Sequence, residues 1–203
     1  MKENSMLREA ARSQLKGSWL PAAGVTFIYC VFSSVSSILF GIGLVIIGGP
    51  LILGYYGYFI RKIRGEPAGA TNLFDGFSLF GQSFLLFLLQ DIFVLLWTML
   101  FIIPGIVKGL SYSMAFFILR DNPSISALDA INASKKMMYG HRAKLFGLYL
   151  SFIGWDLLGI LTLGIGYLWL MPYTTLSLAN FYEDLKQNGQ AATEPANPPP
   201  ALR

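Results

Sequence analysis

Three charged residues stand inside otherwise uncharged sequence. Between Gly76 and Leu119 only Asp91 and Lys108 carry charge, and between Leu145 and Tyr182 only Asp156 does. Ionisable groups in apolar surroundings are natural members of a proton or ion relay. The plainer reading makes the two aspartates neutral or polar-bonded groups that tie helices together and lets Lys108 snorkel outward. At 1.5 Å per helical residue, Asp91 lies roughly 18 Å from the turn at Pro104, Lys108 roughly 6 Å from it, and Asp156 roughly 12 Å from the turn at Gly164. By depth, Lys108 is expected either to reach the outer interface or to meet Asp156. Gln90, beside Asp91, reads as an interhelical hydrogen-bonding residue.

A second set is basic. Lys135, Lys136, Arg142 and Lys144 cluster in one polar connection. Such a group suits anionic lipid headgroups, or it simply fixes topology. His141 is the single histidine and has no cysteine cluster near it, so neither a metal nor a cofactor is expected. The chain lacks His-Glu-x-x-His, Gly-x-Ser-x-Gly and the phosphate-binding Gly-x-x-x-x-Gly-Lys. Asp75-Gly76 matches the start of the CDP-alcohol phosphotransferase motif, but its later positions do not follow. No residue is assigned a catalytic role, and the chain is not expected to be an enzyme.

The elements that hold these residues follow from composition. Of 203 residues, 54% are hydrophobic and 13% charged. A soluble domain carries about 25% charge, so there is too little polar material here to cover a surface in water. Gly17 to Ile60 contains no charge at all. One membrane crossing needs about 20 residues, so each of the three apolar runs accommodates two spans and a turn. The expected fold is all-α: a polytopic membrane protein of six transmembrane helices in three hairpins, at residues 18–60, 81–120 and 145–182, with interfacial amphipathic helices beside them.

Around this 18–182 domain, residues 1–17 form an amphipathic leader. Met6, Leu7, Ala10, Ala11 and Leu15 fall on one side and Arg8, Glu9, Arg12, Ser13 and Lys16 on the other, a pattern that suits the membrane surface. Asn72 and Asp75 mark the cap of a short helix with Leu73, Phe74, Phe77 and Phe80 on one face. Ser126 and Asp129 cap another, with Ala127, Ala130, Ile131, Ala133, Ser134, Met137 and Met138 on one side. Residues 183–203, rich in Gln, Ala, Asn and Pro, read as a disordered cytosolic tail. Pro50, Pro104 and Pro172 are the expected helix-breaking positions, one in each even-numbered span, with Pro104 at a first helical position. Gly-Ile pairs at 41, 105 and 164 raise the question of a threefold repeat. Cys30, the only cysteine, has no intrachain partner for a disulfide.

Of the 15 lysines and arginines, all but Lys108 fall in the leader, the two long connections or the tail. The positive-inside rule then puts both termini in the cytoplasm of a cell that holds the chain in its plasma membrane. The leader's apolar run is too long for a cleavable signal peptide.

Several stretches together resemble a family of uncharacterised, mostly Gram-positive bacterial membrane proteins, domain of unknown function nine-seventy-five. They include Gly48-Gly49-Pro50-Leu51, Asn72 to Phe77, Ile103-Pro104-Gly105-Ile106, Leu110 to Ala115, Asp121-Asn122-Pro123, Ser134 to Met138, Gly140-His141, Ser151 to Trp155, Leu161 to Gly166 and Phe181 to Leu185. The resemblance implies a multi-helix membrane fold distantly similar to the membrane domain of some glycerophosphodiester phosphodiesterases. It implies no activity. The expected function is non-enzymatic: a structural, partner-binding or envelope-related membrane protein. The alternative is a small transporter or permease using Asp91, Lys108 and Asp156. Expected partners are the lipid bilayer, anionic headgroups, and a second copy or another membrane protein, with no nucleic acid.

Overall fold

A computed structural model describes residues 2–38 and 42–193. The described residues form ten α-helices and one 3-10 helix, with no strand. They are α1 (Asn4–Leu15), α2 (Trp19–Ile38), α3 (Ile42–Ile63), a 3-10 helix (Ala70–Leu79), α4 (Phe80–Leu100), α5 (Ile102–Tyr112), α6 (Ala115–Asp121), α7 (Ala127–Met137), α8 (Arg142–Leu150), α9 (Ile153–Leu161) and α10 (Tyr167–Thr193).

Among the described residues three helical stretches are long and apolar enough to cross a membrane: Ala70–Leu100, Ile102–Asp121 and Arg142–Leu161. A fourth appears if Asn4–Leu15 and Trp19–Ser34, bent by 98° to one another, count as one span. Six were expected; α3 and α10 are not among those that pass. In α10 the apolar stretch gives way to Asn180, Glu183, Asp184 and Lys186. The expected first outer turn at residues 41–43 lies partly outside the described residues.

The second hairpin is the clearest. Phe101 alone joins α4 to α5, and its extended backbone (φ −157°, ψ 142°) makes the reversal. Helix α5 starts two residues before Pro104, so the proline is third rather than first. Any position in the first turn tolerates it, because those N–H groups have no intrahelical acceptor. Pro50 and Pro172 were expected to break their helices; both lie inside helices that continue past them.

Helix α3 is the inner column. Leu51, Leu53, Tyr55, Tyr58, Phe59 and Ile60 are buried along it. The 3-10 helix packs on α3 backbone to backbone. A Cβ on Gly54 would collide with the Leu73 carbonyl, and one on Gly76 with the Pro50 carbonyl. This close approach is why glycine stands at positions 54 and 76. Leu73 turns inward and is buried, while Phe74, Phe77 and Phe80 stay exposed, so the expected single face divides. Below them Phe117 of α6 is sandwiched between Tyr56 of α3 (4.5 Å, 6°) and Tyr182 of α10 (5.3 Å, 18°).

The expected cap of α7 is present: Ser126 Oγ accepts from the Asp129 N–H at 3.1 Å. Its small-residue face is buried at Ala127, Ala130, Ile131 and Ser134. Ser134 donates to the Ser111 carbonyl (2.8 Å) and accepts from the Met114 N–H (3.2 Å). It thereby satisfies backbone groups at the break between α5 and α6.

Two expectations need correction. The apolar stripe of the leader was expected to be free to face the membrane surface, yet Leu7, Ala11 and Leu15 are buried within the protein core. Their apolar face is already used by protein, with α1 lying against α10 and α8. The tail was expected to lose structure at residue 183, yet α10 continues to Thr193. Ion pairs from Glu183, Asp184 and Lys186 hold its continuation. Residues 194–203 lie outside the described residues.

Candidate functional site

The densest polar arrangement gathers the ends of α3 and α6 against the middle of α10. Arg64 follows the last turn of α3, Asp121 closes α6, and Tyr182, Glu183 and Lys186 lie within one turn of α10. Tyr182 and Lys186 are four residues apart and therefore share a face. Arg64 Nη2 is 3.0 Å from Asp121 and 2.6 Å from Glu183 Oε1, which its Nε also reaches at 2.9 Å. The Tyr182 hydroxyl donates to Asp121 at 2.9 Å and the Lys186 ammonium at 2.6 Å. The Asp121 side chain is only 7% exposed. Its hydrogen bond raises the Arg64 pKa, burial opposes that rise, and Glu183 adds to it, so the guanidinium stays charged at any working pH.

Two smaller clusters flank this one. Asp75 Oδ2 takes Arg61 at 3.0 Å, Arg120 at 3.5 Å and the Asn72 amide at 3.0 Å. Asp184, buried on α10, accepts from the Lys2 backbone N–H at 2.9 Å, with Lys144 Nζ at 3.9 Å. In each cluster the carboxylate faces cations or N–H donors. No side chain in the three is set as a nucleophile beside a base. Among the described residues no group of three His, Cys, Asp or Glu is placed to hold a metal ion. What this geometry does is lock helix ends.

The residues singled out by sequence do not converge. Asp91 is exposed, at the edge of a 110 Å³ hollow that Tyr56, Gln90 and Ser113 also line. Gln90 Oε1 is buried there without a partner. Lys108 sits over the Trp97 ring, 4.4 Å from its centroid, held by the α4–α5 hairpin rather than by Asp156. Asp156 is half-buried. Its backbone carbonyl accepts from the Tyr167 hydroxyl at 3.4 Å. Among the described residues no hydrogen bond or ion pair joins the side chains of Asp91, Lys108 and Asp156. Of the basic set, Lys135, Lys136 and Arg142 line one shallow hollow of 720 Å³ with Asp129 and Tyr139, while Lys144 points to Asp184.

Sequence reasoning missed Arg64, Asp75, Asp121, Glu183 and Lys186 as a working group. One signal was present. Asp121 is an acid in the last turn of a helix, where the helix dipole disfavours it. Such a residue is held by tertiary partners.

The profile of a family described as "Protein of unknown function (DUF975)" matches residues 99–189, a stretch that includes α5 to α9 and most of α10. No curated protein and no solved structure matches the chain. Over that stretch the chain is similar to a family of unknown function.

Proposed function

We propose that this chain is a polytopic protein of the cell membrane that works without catalysis, as a structural or partner-binding component with both termini in the cytoplasm. The observation that carries the reading is the exposed apolar surface of the candidate spans. Met99 is 78% exposed, Ile103 76%, Leu161 77% and Leu163 94%. Side chains of this kind, exposed together, mark a surface that meets lipid or another protein rather than water. Both groups lie at hairpin turns, away from Asp121 at the close of the Ile102–Asp121 stretch and from Glu183 further along α10. Ion pairs at one end and apolar turns at the other fit a cytoplasmic face and a deeper or outer one. The distant resemblance to a glycerophosphodiester phosphodiesterase membrane domain fits this reading and supplies no catalytic residue. Partners on this reading are the bilayer, anionic headgroups at Lys135, Lys136 and Arg142, and a second copy or another membrane protein.

The transport reading draws on Asp91, Lys108 and Asp156, and their separation argues against it. The test is a proton-flux measurement with an entrapped pH dye in liposomes holding the purified chain. The expected result is no flux above empty liposomes for the wild type, Asp91→Asn or Asp156→Asn. Flux abolished by both substitutions would restore the relay. Loss of the chain from membranes on alkaline carbonate washing would remove the membrane assignment itself.

A further inference from the structure

We infer that the chain binds one anionic phospholipid of the cytoplasmic leaflet in a groove between α1, α9 and α10, its phosphate on Arg8 and Arg12 and an acyl chain along Trp155 and Trp169. The inference rests on the membrane reading above and adds a site to it.

Two hollows meet there, and Arg12 and Tyr173 line both. The larger is 520 Å³, within the range of small-molecule sites. Trp19, Trp155, Leu158 and Trp169 wall it and Gly159 and Gly166 line it too, with Arg12 its one charged residue. The smaller, 410 Å³, adds Ser5, Arg8 and Glu9. An apolar trough with cations at its mouth has the charge and polarity order of a phospholipid.

The two arginines are held in place without being neutralised. Arg8 Nε donates to the Tyr173 hydroxyl at 3.3 Å, and its guanidinium lies 5.1 Å from the Phe152 ring centroid. The Arg12 guanidinium lies 5.8 Å from the Tyr173 ring centroid. Aromatic faces orient a guanidinium and leave most of its donors free. Five other basic side chains, Arg61, Arg64, Arg120, Lys144 and Lys186, each have a carboxylate within 4.0 Å. Among the described residues Arg8 and Arg12 have none. Glu9 shares the smaller hollow and leaves the pair with a net positive charge. Arginine donors match phosphate oxygens in a fork.

The depth also fits. From Tyr173 back to Gly166 the chain rises roughly 10 Å at helical pitch, inside one leaflet of about 15 Å. Trp155 and Trp169 are each 47% exposed, so an acyl chain lying on them covers surface that the protein leaves open.

The test uses the full chain with Trp97→Phe, because the other three tryptophans all line the groove. In phosphatidylcholine nanodiscs, a small share of phosphatidylglycerol brominated on its acyl chains is expected to quench the emission strongly. The same share of brominated phosphatidylcholine is expected to quench it weakly. Arg8→Gln with Arg12→Gln is expected to weaken the phosphatidylglycerol affinity roughly thirtyfold, the worth of two cations beside an anionic surface. If that pair of changes unfolds the chain, Arg12→Gln alone carries the test with a loss of roughly fivefold. Equal quenching by the two lipids overturns the site and leaves the membrane reading standing. So does selective quenching that the arginine variants do not change, or quenching relieved by inorganic phosphate. No quenching by either lipid overturns the membrane reading instead.

Discussion

Arg64, just beyond the end of α3, lies 3.0 Å from Asp121 at the end of α6. The same guanidinium also holds Glu183 of α10 at 2.6 Å. One side chain thus joins two helix ends and the middle of a third helix, all far apart in sequence. Its aspartate partner is nearly closed to solvent, so this link differs in kind from a surface ion pair.

Asp121→Asn is expected to cost about 3 kcal/mol, because it leaves Arg64 and Lys186 facing an uncharged group in a closed site. Arg61→Gln removes a partner of Asp75 where both side chains are about a third exposed, 32% and 31%. It is expected to cost under about 1 kcal/mol. Denaturant titration of the two variants in the same detergent measures the difference. Equal losses would mean that closure around Asp121 contributes nothing.

Gly54→Ala is expected to separate the 3-10 helix from α3, since its Cβ has no room beside the Leu73 carbonyl. Overpacking of this kind costs about 1–3 kcal/mol or more. Gly24→Ala on α2 meets nothing within 4 Å and is expected to stabilise by up to about 1 kcal/mol through helix propensity. Thermal melts of the two variants should move in opposite directions.

Ser134→Ala is expected to cost about 1–3 kcal/mol by stranding the Met114 N–H and the Ser111 carbonyl. Hydrogen exchange reads the effect at its source. The Met114 amide should lose protection before the amides of α4 do. An unchanged Met114 rate would show that the break in α5–α6 is held by something other than this hydroxyl.

Lys108→Met is expected to cost about 1 kcal/mol and to shift the emission of Trp97, measured with Trp19, Trp155 and Trp169 each replaced by Phe. Asp156→Asn should leave that emission where it is. A shift with Asp156→Asn would bring back the Lys108–Asp156 pairing.

Much of the helical layout was legible in the sequence, and for definite reasons. The α4–α5 hairpin is visible because Pro104-Gly105 interrupts a long apolar run. The cap of α7 is visible because Ser126 and Asp129 stand three apart ahead of a small-residue face. The Lys108–Asp156 pairing is not formed: counting residues gives depth along a helix and says nothing of direction around it, and direction is what sets Lys108 on Trp97. The apolar stripe of α1 was read correctly, but a stripe does not say whether lipid or protein will cover it. The continuation of α10 past residue 183 rests on Arg64, Lys144 and Asp121, distant residues that no local pattern reveals.

The docking of α1 on α10 sets an order of events. Gln14 and Asn180 exchange hydrogen bonds at 3.2 and 2.8 Å, and the Lys2 amide reaches Asp184. Helix α1 is synthesised before its partner surface, with Asn180 following Gln14 by 166 residues. At about 5–20 residues per second the wait is on the order of ten to thirty seconds. Throughout that interval Leu7, Ala11 and Leu15 lack the α10 surface that buries them in the folded protein. Helix α1 is therefore a latch that can close only after α10 has been made.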